Sequence, residues 1–338
     1  SEMCIRDRYL PGADNYAHWK GGPVTGELLP AVQEHFEQIT DRYFGEFLEK
    51  IEKKGYLYAT VFALVADHGM IGFHNDERHN IFIAKDDTLM LEKLFTPAEG
   101  GLPYDLWRGE NLRRTEVVYA PNGGMAHIYV RKGVDGQSWE FSPNLADVEQ
   151  IAALLYKEVT TFVGHSQIVP ELWLCLGRPP AIFVRTDKED SADFANDYWW
   201  VSGIDPQTGR PTYDPIAAFI TAREEVSGLE LDWPEFIERM NNELNDHYAK
   251  GSRSGDIIIV MDVENGYLSC LYGEEHPGWH GGPTKAEGEV PLMFNFLGEE
   301  RGFLESAFQS VRQSVQTPHL RNWHLTPIVV NIVKNARN

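Results

Sequence analysis

A nearly unbroken apolar run, residues 58–66 (YATVFALVA), is followed at once by Asp67, His68 and Gly69. Such a run is typical of a strand that is buried on both faces. Before it, residues 29–54 carry apolar side chains at helical spacing and end in Lys-Lys-Gly, a helix stop. A helix, a glycine, a buried strand and a polar loop predict an α/β fold, in which ligand sites collect at the carboxyl ends of strands.

The rest of the chain supplies further elements of both kinds. We predict strands at residues 80–84, 125–130, 181–185, 198–202, 255–262 and 291–297. We predict helices at residues 146–159, 215–225, 233–248 and 323–334. Because no catalytic motif is found in residues 121–250, we predict that they form an inserted accessory or cap region. Residues 9–120 and 251–338 would then form the core.

Composition narrows the class of protein. With 338 residues, 42% of them hydrophobic and 24% charged, the chain is that of an ordinary folded protein rather than a disordered one. No apolar run is long enough to span a membrane. The net charge of −21 disfavours binding to a nucleic-acid polymer. The three cysteines form no C-x-x-C pair, so no thiolate zinc site is indicated.

Three short motifs contain residues that favour divalent metals. Asp14 and His18 are four residues apart, so a helical turn places both on one face. Asp67 and His68 end the apolar run, and His280 is followed by two glycines that let backbone approach a ligand closely. Imidazole nitrogen and carboxylate oxygen are common zinc ligands. Each motif alone is weak, and their order on an α/β frame is what points to a metal site.

The order D-x-x-x-H, DHG, HGG resembles the metal-ligand pattern of the alkaline phosphatase superfamily. The ADHGM segment and the strand at residues 253–260 (RSGDIIIV) look most like type I phosphodiesterases/nucleotide pyrophosphatases. The resemblance covers residues 12–22, 56–70 and 253–297. It implies a central mixed or parallel sheet flanked by helices, with an inserted cap subdomain.

The resemblance also implies two divalent metal ions, zinc or alternatively manganese. Asp14, His18 and His280 would hold one ion, and Asp67 and His68 the other. In the family, a Thr or Ser nucleophile and a further Asp precede the first of these motifs, so no residue of this chain is assigned to either. Residues 1–8 (SEMCIRDR) resemble a non-native extension. We therefore expect that the N-terminal part of the core is missing and that the chain alone shows little or no turnover.

The function implied is hydrolysis of a small-molecule phosphodiester or nucleotide pyrophosphate, through a covalent phospho-enzyme formed by the Thr or Ser. A phosphonate hydrolase, a sulfatase or a phosphoglycerate mutase of the same superfamily is an alternative. A non-catalytic metal-binding or interaction protein is the alternative of a different class. By analogy with the family, an extracytoplasmic location is expected.

Several other residues compete for roles in a site. His276 could replace His280 as a ligand, although the glycine pair favours His280. Others could touch substrate or support a ligand, but ordinary packing or solvent exposure explains each of them as well. These are His74, His79, His127, Tyr198, Trp199, Trp200, Asp262, Glu264, Glu287 and Glu289.

Overall fold

The structure is a computed structural model. It describes residues 10–20, 30–72, 80–81, 116–131, 143, 145–161, 176–177, 179–185, 198–227, 240, 254–269, 278–282, 285–298, 302–314, 320 and 324–335. The proposed N-terminal extension lies outside the described residues, and so does all of the predicted helix at 233–248 except residue 240. The chain divides into two compact units. One contains residues 1–17, 30–69 and 289–338, and the other contains residues 18–29 and 70–288. The boundaries suggested for the inserted region remain a prediction.

Twelve strands are found among the described residues. They are β1 (Val61–Val65), β2 (Ile71–Gly72), β3 (Asn80–Ile81), β4 (Val117–Asn122), β5 (Met125–Val130), β6 (Ile182–Arg185), β7 (Tyr198–Ile204), β8 (Pro211–Asp214), β9 (Ile257–Val260), β10 (Leu268–Ser269), β11 (Gly278–Trp279) and β12 (Leu292–Phe296).

Eight α-helices lie among the described residues. In the described segments they are α1 (Gly12–Lys20), α2 (Pro30–His35), α3 (Asp41–Lys53), α4 (Leu145–Thr161), α5 (Ile216–Ser227), α6 (Lys285–Gly288), α7 (Gly302–Ser314) and α8 (Leu325–Asn335). A π-helical turn, Phe36–Thr40, joins α2 to α3. The predicted helix at residues 29–54 is therefore present as three consecutive helical segments.

The larger unit is built on a six-stranded sheet with the order β4-β5-β9-β6-β7-β8. Strand β9 lies in its interior, and all four of its residues are buried. Ile257 and Ile259 pack with the apolar face of α4, whereas Ile258 and Val260 pack with α5. Because successive side chains of a strand point to opposite faces, an all-apolar strand fits a sheet that is covered by helices on both sides.

The α/β class predicted from the sequence is confirmed in this coarse form, but the sheet is antiparallel. All five strand pairs of the six-stranded sheet run antiparallel. Among the described strands, parallel pairing occurs only between β3 and β10. A continuous apolar run indicates burial on both faces and not strand direction, so it did not exclude the wholly antiparallel pairing found here in place of the mixed or parallel sheet that the resemblance implies.

The smaller unit contains the antiparallel pair β1 and β12. Val61 of β1 and Phe294 of β12 pack against a cluster formed by α7 and α8. Phe62, which alternates with Val61, makes an edge-to-face contact with Phe44 of α3. The strand predicted at residues 58–66 is therefore present at Val61–Val65, but the predicted burial on both faces is wrong: none of its five residues is buried, and Ala63 and Leu64 are exposed.

Candidate metal centre

Helix α1 contains the first predicted motif. Asp14 lies in its first turn and His18 in its last, so the two residues are one helical turn apart, as the spacing predicts. Ala17 between them is buried. Asp14 belongs to the smaller unit and His18 to the larger one.

In the smaller unit, His68 follows the carboxyl end of β1 and is held by its neighbours. Its Nδ1 lies 3.0 Å from the carbonyl oxygen of Gly69. Because a carbonyl oxygen only accepts, this bond requires that Nδ1 carries the proton, and the lone pair of the neutral ring is then on Nε2. The backbone N–H of His68 donates to Oδ1 of Asp67 at 3.2 Å.

Two carboxylates face the lone-pair nitrogen of His68. Its Nε2 lies 4.0 Å from Oδ1 of Asp14 and 3.8 Å from Oδ2 of Asp67. These separations exceed the ordinary hydrogen-bond length of about 3.2 Å. Two ligand atoms of a tetrahedral divalent ion, with bond lengths of about 2.0–2.2 Å, lie about 3.3–3.6 Å apart, so a movement of a few tenths of an ångström brings these atoms to ligand spacing. The donor set is therefore compatible with a divalent ion.

The resemblance divides these residues between two ions. It assigns Asp14 and His68 to different ions, and the two side chains lie side by side in the smaller unit. Asp67, which the resemblance pairs with His68, is also adjacent to it. How the ligands divide between two ions remains a prediction.

In the larger unit, His18 and His280 are neighbours, with ring centroids 5.2 Å apart. Nδ1 of His18 donates to the carbonyl oxygen of Gly278 in β11 at 2.7 Å, so the lone pair of the neutral ring is on Nε2. A backbone carbonyl on the far nitrogen is the usual way of orienting a metal-binding histidine. Trp279 packs edge-to-face on His18 at 4.8 Å.

The glycines after His280 pack against a second glycine pair that the sequence analysis missed. Gly123 and Gly124 form the two-residue turn between β4 and β5. Gly123 and Gly281 both have positive φ, at 66° and 103°. A Cβ on Gly123 would lie 2.1 Å from the carbonyl oxygen of His280. The Asn-Gly-Gly sequence between two apolar runs is a hairpin signal that could have identified this turn.

The competing residues fall into three groups. His74, His79 and His276 lie outside the described residues, as does the Glu264 side chain. Tyr198 and Trp200 belong to the core, and Asp262 forms a buried ion pair with Arg223 at 2.7 Å. Glu289 is exposed, and Trp199 is half-buried in β7. His127 accepts the N–H of Gly255, and Glu287 accepts the N–H of Gly282.

In comparisons with known proteins, no family model, no curated protein and no solved structure matches the chain. The family resemblance therefore depends on the order of the three motifs. None of the described helices combines the length and the apolarity that a bilayer crossing requires.

Proposed function

We propose that this chain is a metal-dependent phosphoester hydrolase of the alkaline phosphatase type, acting on phosphodiesters or nucleotide pyrophosphates. The observation that supports this most directly is the environment of His68. Its Nδ1 is bonded to a backbone carbonyl, and its Nε2 faces the carboxylates of Asp14 and Asp67 at the end of strand β1. The motif order that carries the family resemblance supplies the reaction class.

The residues present fit a borderline divalent cation. Imidazole nitrogens and carboxylate oxygens without a thiolate are typical ligands of zinc and of similar ions. In the smaller unit these ligands are Asp14, Asp67 and His68. In the larger unit they are His18 and His280. Manganese favours carboxylate oxygens and remains the alternative metal.

Charge explains why a cation is required for this function. A phosphoester is an anion, and Asp14 and Asp67 would repel it in the absence of a counterion. When bound, a divalent cation neutralises the carboxylates and polarises a phosphoryl oxygen. Two backbone carbonyls orient the histidine ligands. The carbonyl of Gly69 fixes the ring of His68, and the carbonyl of Gly278 fixes the ring of His18. In each unit, the ring that is fixed in this way presents its Nε2 lone pair to a ligand.

The test is metal binding, since the resemblance assigns the nucleophile to no residue of this chain. We expect the chelator-treated protein to take up Zn²⁺ or Co²⁺ in equilibrium dialysis. We expect Asp67→Asn and His68→Ala to lower that affinity at least about 100-fold, because loss of a direct ligand costs more than loss of its supporting hydrogen bond. Asp205→Asn is the matched control, since Asp205 caps a turn through Gln207.

Inorganic phosphate provides the second half of the test. Calorimetry is expected to show phosphate binding to the metal-loaded protein and none to the chelator-treated protein. Unaltered metal affinity in both Asp67→Asn and His68→Ala contradicts the proposed ligands. Metal uptake without phosphate binding supports the alternative of a non-catalytic metal-binding protein.

A further inference from the structure

The carboxylate of Glu287 is buried beneath the loop that contains His280. Glu287 is 3% exposed, and its Oε1 accepts the backbone N–H of Gly282 at 2.6 Å. A buried carboxylate is costly unless it is hydrogen-bonded, and bonds to an ionised acceptor are about twice as strong as neutral ones. The contact is therefore a strong restraint on the backbone two residues after His280.

The glycines of this loop leave no room for it to shift toward its neighbours. A Cβ on Gly282 would lie 2.2 Å from Oε2 of Glu287, so the carboxylate occupies the space of a side chain. A Cβ on Gly281 would lie 2.3 Å from the carbonyl oxygen of Asn122. Nδ2 of Asn122 donates to the carbonyl of Gly281 at 3.4 Å. The loop is enclosed between Glu287 and the β4–β5 turn.

The β4–β5 turn is itself firmly held. Gly123 exchanges two backbone hydrogen bonds with Ser269, at 2.9 and 2.8 Å. The carbonyl of Gly124 accepts the N–H of Met261 at 2.8 Å. Met261 directly follows the central strand β9, so the surface against which Glu287 presses the loop is anchored to the sheet.

We propose that Glu287 is a positioning residue for His280. Its carboxylate, by accepting the Gly282 N–H, holds the His280-Gly281-Gly282 loop against the β4–β5 turn and so sets the position of the His280 imidazole. The effect on metal affinity rests on the proposed function, whereas the effect on the position of His280 does not.

The test compares Glu287→Ala with Glu287→Gln, because the amide keeps an acceptor oxygen for Gly282. Glu149→Ala is the control, since Glu149 is a buried carboxylate of the same unit, 6% exposed, that accepts from Arg210 at 2.7 Å. The first measurement follows the imidazole resonances of His280 by NMR in chelator-treated protein. The second measures Co²⁺ affinity and the visible absorption of bound Co²⁺.

We expect Glu287→Ala to shift the His280 resonances, to lower Co²⁺ affinity about 10–100-fold and to change the Co²⁺ spectrum. Glu287→Gln is expected to retain most of the wild-type affinity and spectrum, and Glu149→Ala to leave the spectrum unchanged. If Glu287→Ala does not fold, Gly282→Ala displaces the same carboxylate and is judged by the same measurements.

The proposal is overturned if the His280 resonances and the Co²⁺ spectrum of Glu287→Ala match those of the wild type. It is also overturned if Glu149→Ala alters both to the same extent, since the role would then be general stability. If the wild-type protein binds no Co²⁺, the proposed function fails, and the His280 resonances alone decide the positioning role.

Discussion

Protonation of His127 is expected to destabilise the fold as the pH falls. His127 lies in β5, and its Nδ1 accepts the N–H of Gly255 at 3.0 Å, so the ring is neutral with its proton on Nε2. Burial, together with the positive charge of Arg185, lowers the pKa of His127 from 6.5 to about 4. A proton on Nδ1 would remove the acceptor for Gly255 and place a buried charge near Arg185.

The size of this destabilisation follows from the pKa of His127 in the unfolded chain and its pKa in the folded chain. In the unfolded chain His127 takes up a proton near pH 6.5, whereas in the folded chain it does so only near pH 4. Between these values the unfolded state binds more protons, so stability is complete above pH 6.5 and is lost as the pH falls toward 4. The two pKa values differ by about 2.5, and each pKa unit corresponds to about 1.4 kcal/mol, so the loss of unfolding free energy has an upper bound of about 3.4 kcal/mol.

Urea unfolding at a series of pH values measures this contribution. The matched variant is His127→Asn, in which the amide oxygen can accept the N–H of Gly255 but does not titrate. Carboxylates titrate in the same range in both proteins, so the difference between their pH profiles isolates His127. Between pH 7 and pH 4 we expect the wild type to lose about 2–3 kcal/mol more than the variant. Parallel profiles, or an NMR titration of His127 with a midpoint near 6.5, refute the reasoning.

Two further predictions concern stability of the larger unit. Arg223→Ala is expected to lower the free energy of unfolding by about 3–5 kcal/mol, since it leaves the buried carboxylate of Asp262 without its ion-pair partner. An unfolding free energy within about 1 kcal/mol of the wild type contradicts this prediction. Tyr198→Phe is expected to lower the free energy of unfolding by about 1–2 kcal/mol, since the hydroxyl of Tyr198 donates to the carbonyl of Gly255 at 2.6 Å. Thermal and urea unfolding measure both, and the Tyr198 prediction is wrong if the variant is as stable as wild type.

Much of the secondary structure followed from local pattern. The strand predicted at residues 125–130 has the same bounds in the structure, and the run at 255–262 contains β9 at Ile257–Val260. The predicted helix at 146–159 differs by only one or two residues at each end from Leu145–Thr161. The spacing of apolar residues and the position of flanking glycines decide where these elements begin and end, because each element depends on a few consecutive residues.

Strand partners were not predictable in the same way. Strand β9 pairs with β5, more than a hundred residues earlier in the chain, and with β6. Its four apolar residues show that it is covered on both sides, but an interior antiparallel strand and a parallel strand satisfy that condition equally. The choice depends on how distant segments pack, and single-sequence patterns do not contain that information.

The candidate site was likewise predictable from the sequence only in part. Residue types, the order of the three motifs and the family resemblance identified Asp14, His18, Asp67, His68 and His280 as candidate ligands, and their role as ligands stays a prediction. Only the tertiary structure placed Asp14 beside Nε2 of His68, and only it showed the Gly69 and Gly278 carbonyls that orient the histidine rings.

The amino-acid sequence by itself therefore determined the α/β class and the positions of most elements, since these follow from local periodicity. The antiparallel order of the sheet, the packing of Gly123 against His280 and the burial of Glu287 under Gly282 were decided only by tertiary structure. Each of these features joins segments that are separated in the chain or lie around a turn. Their energy depends on three-dimensional packing, which no short window of sequence specifies.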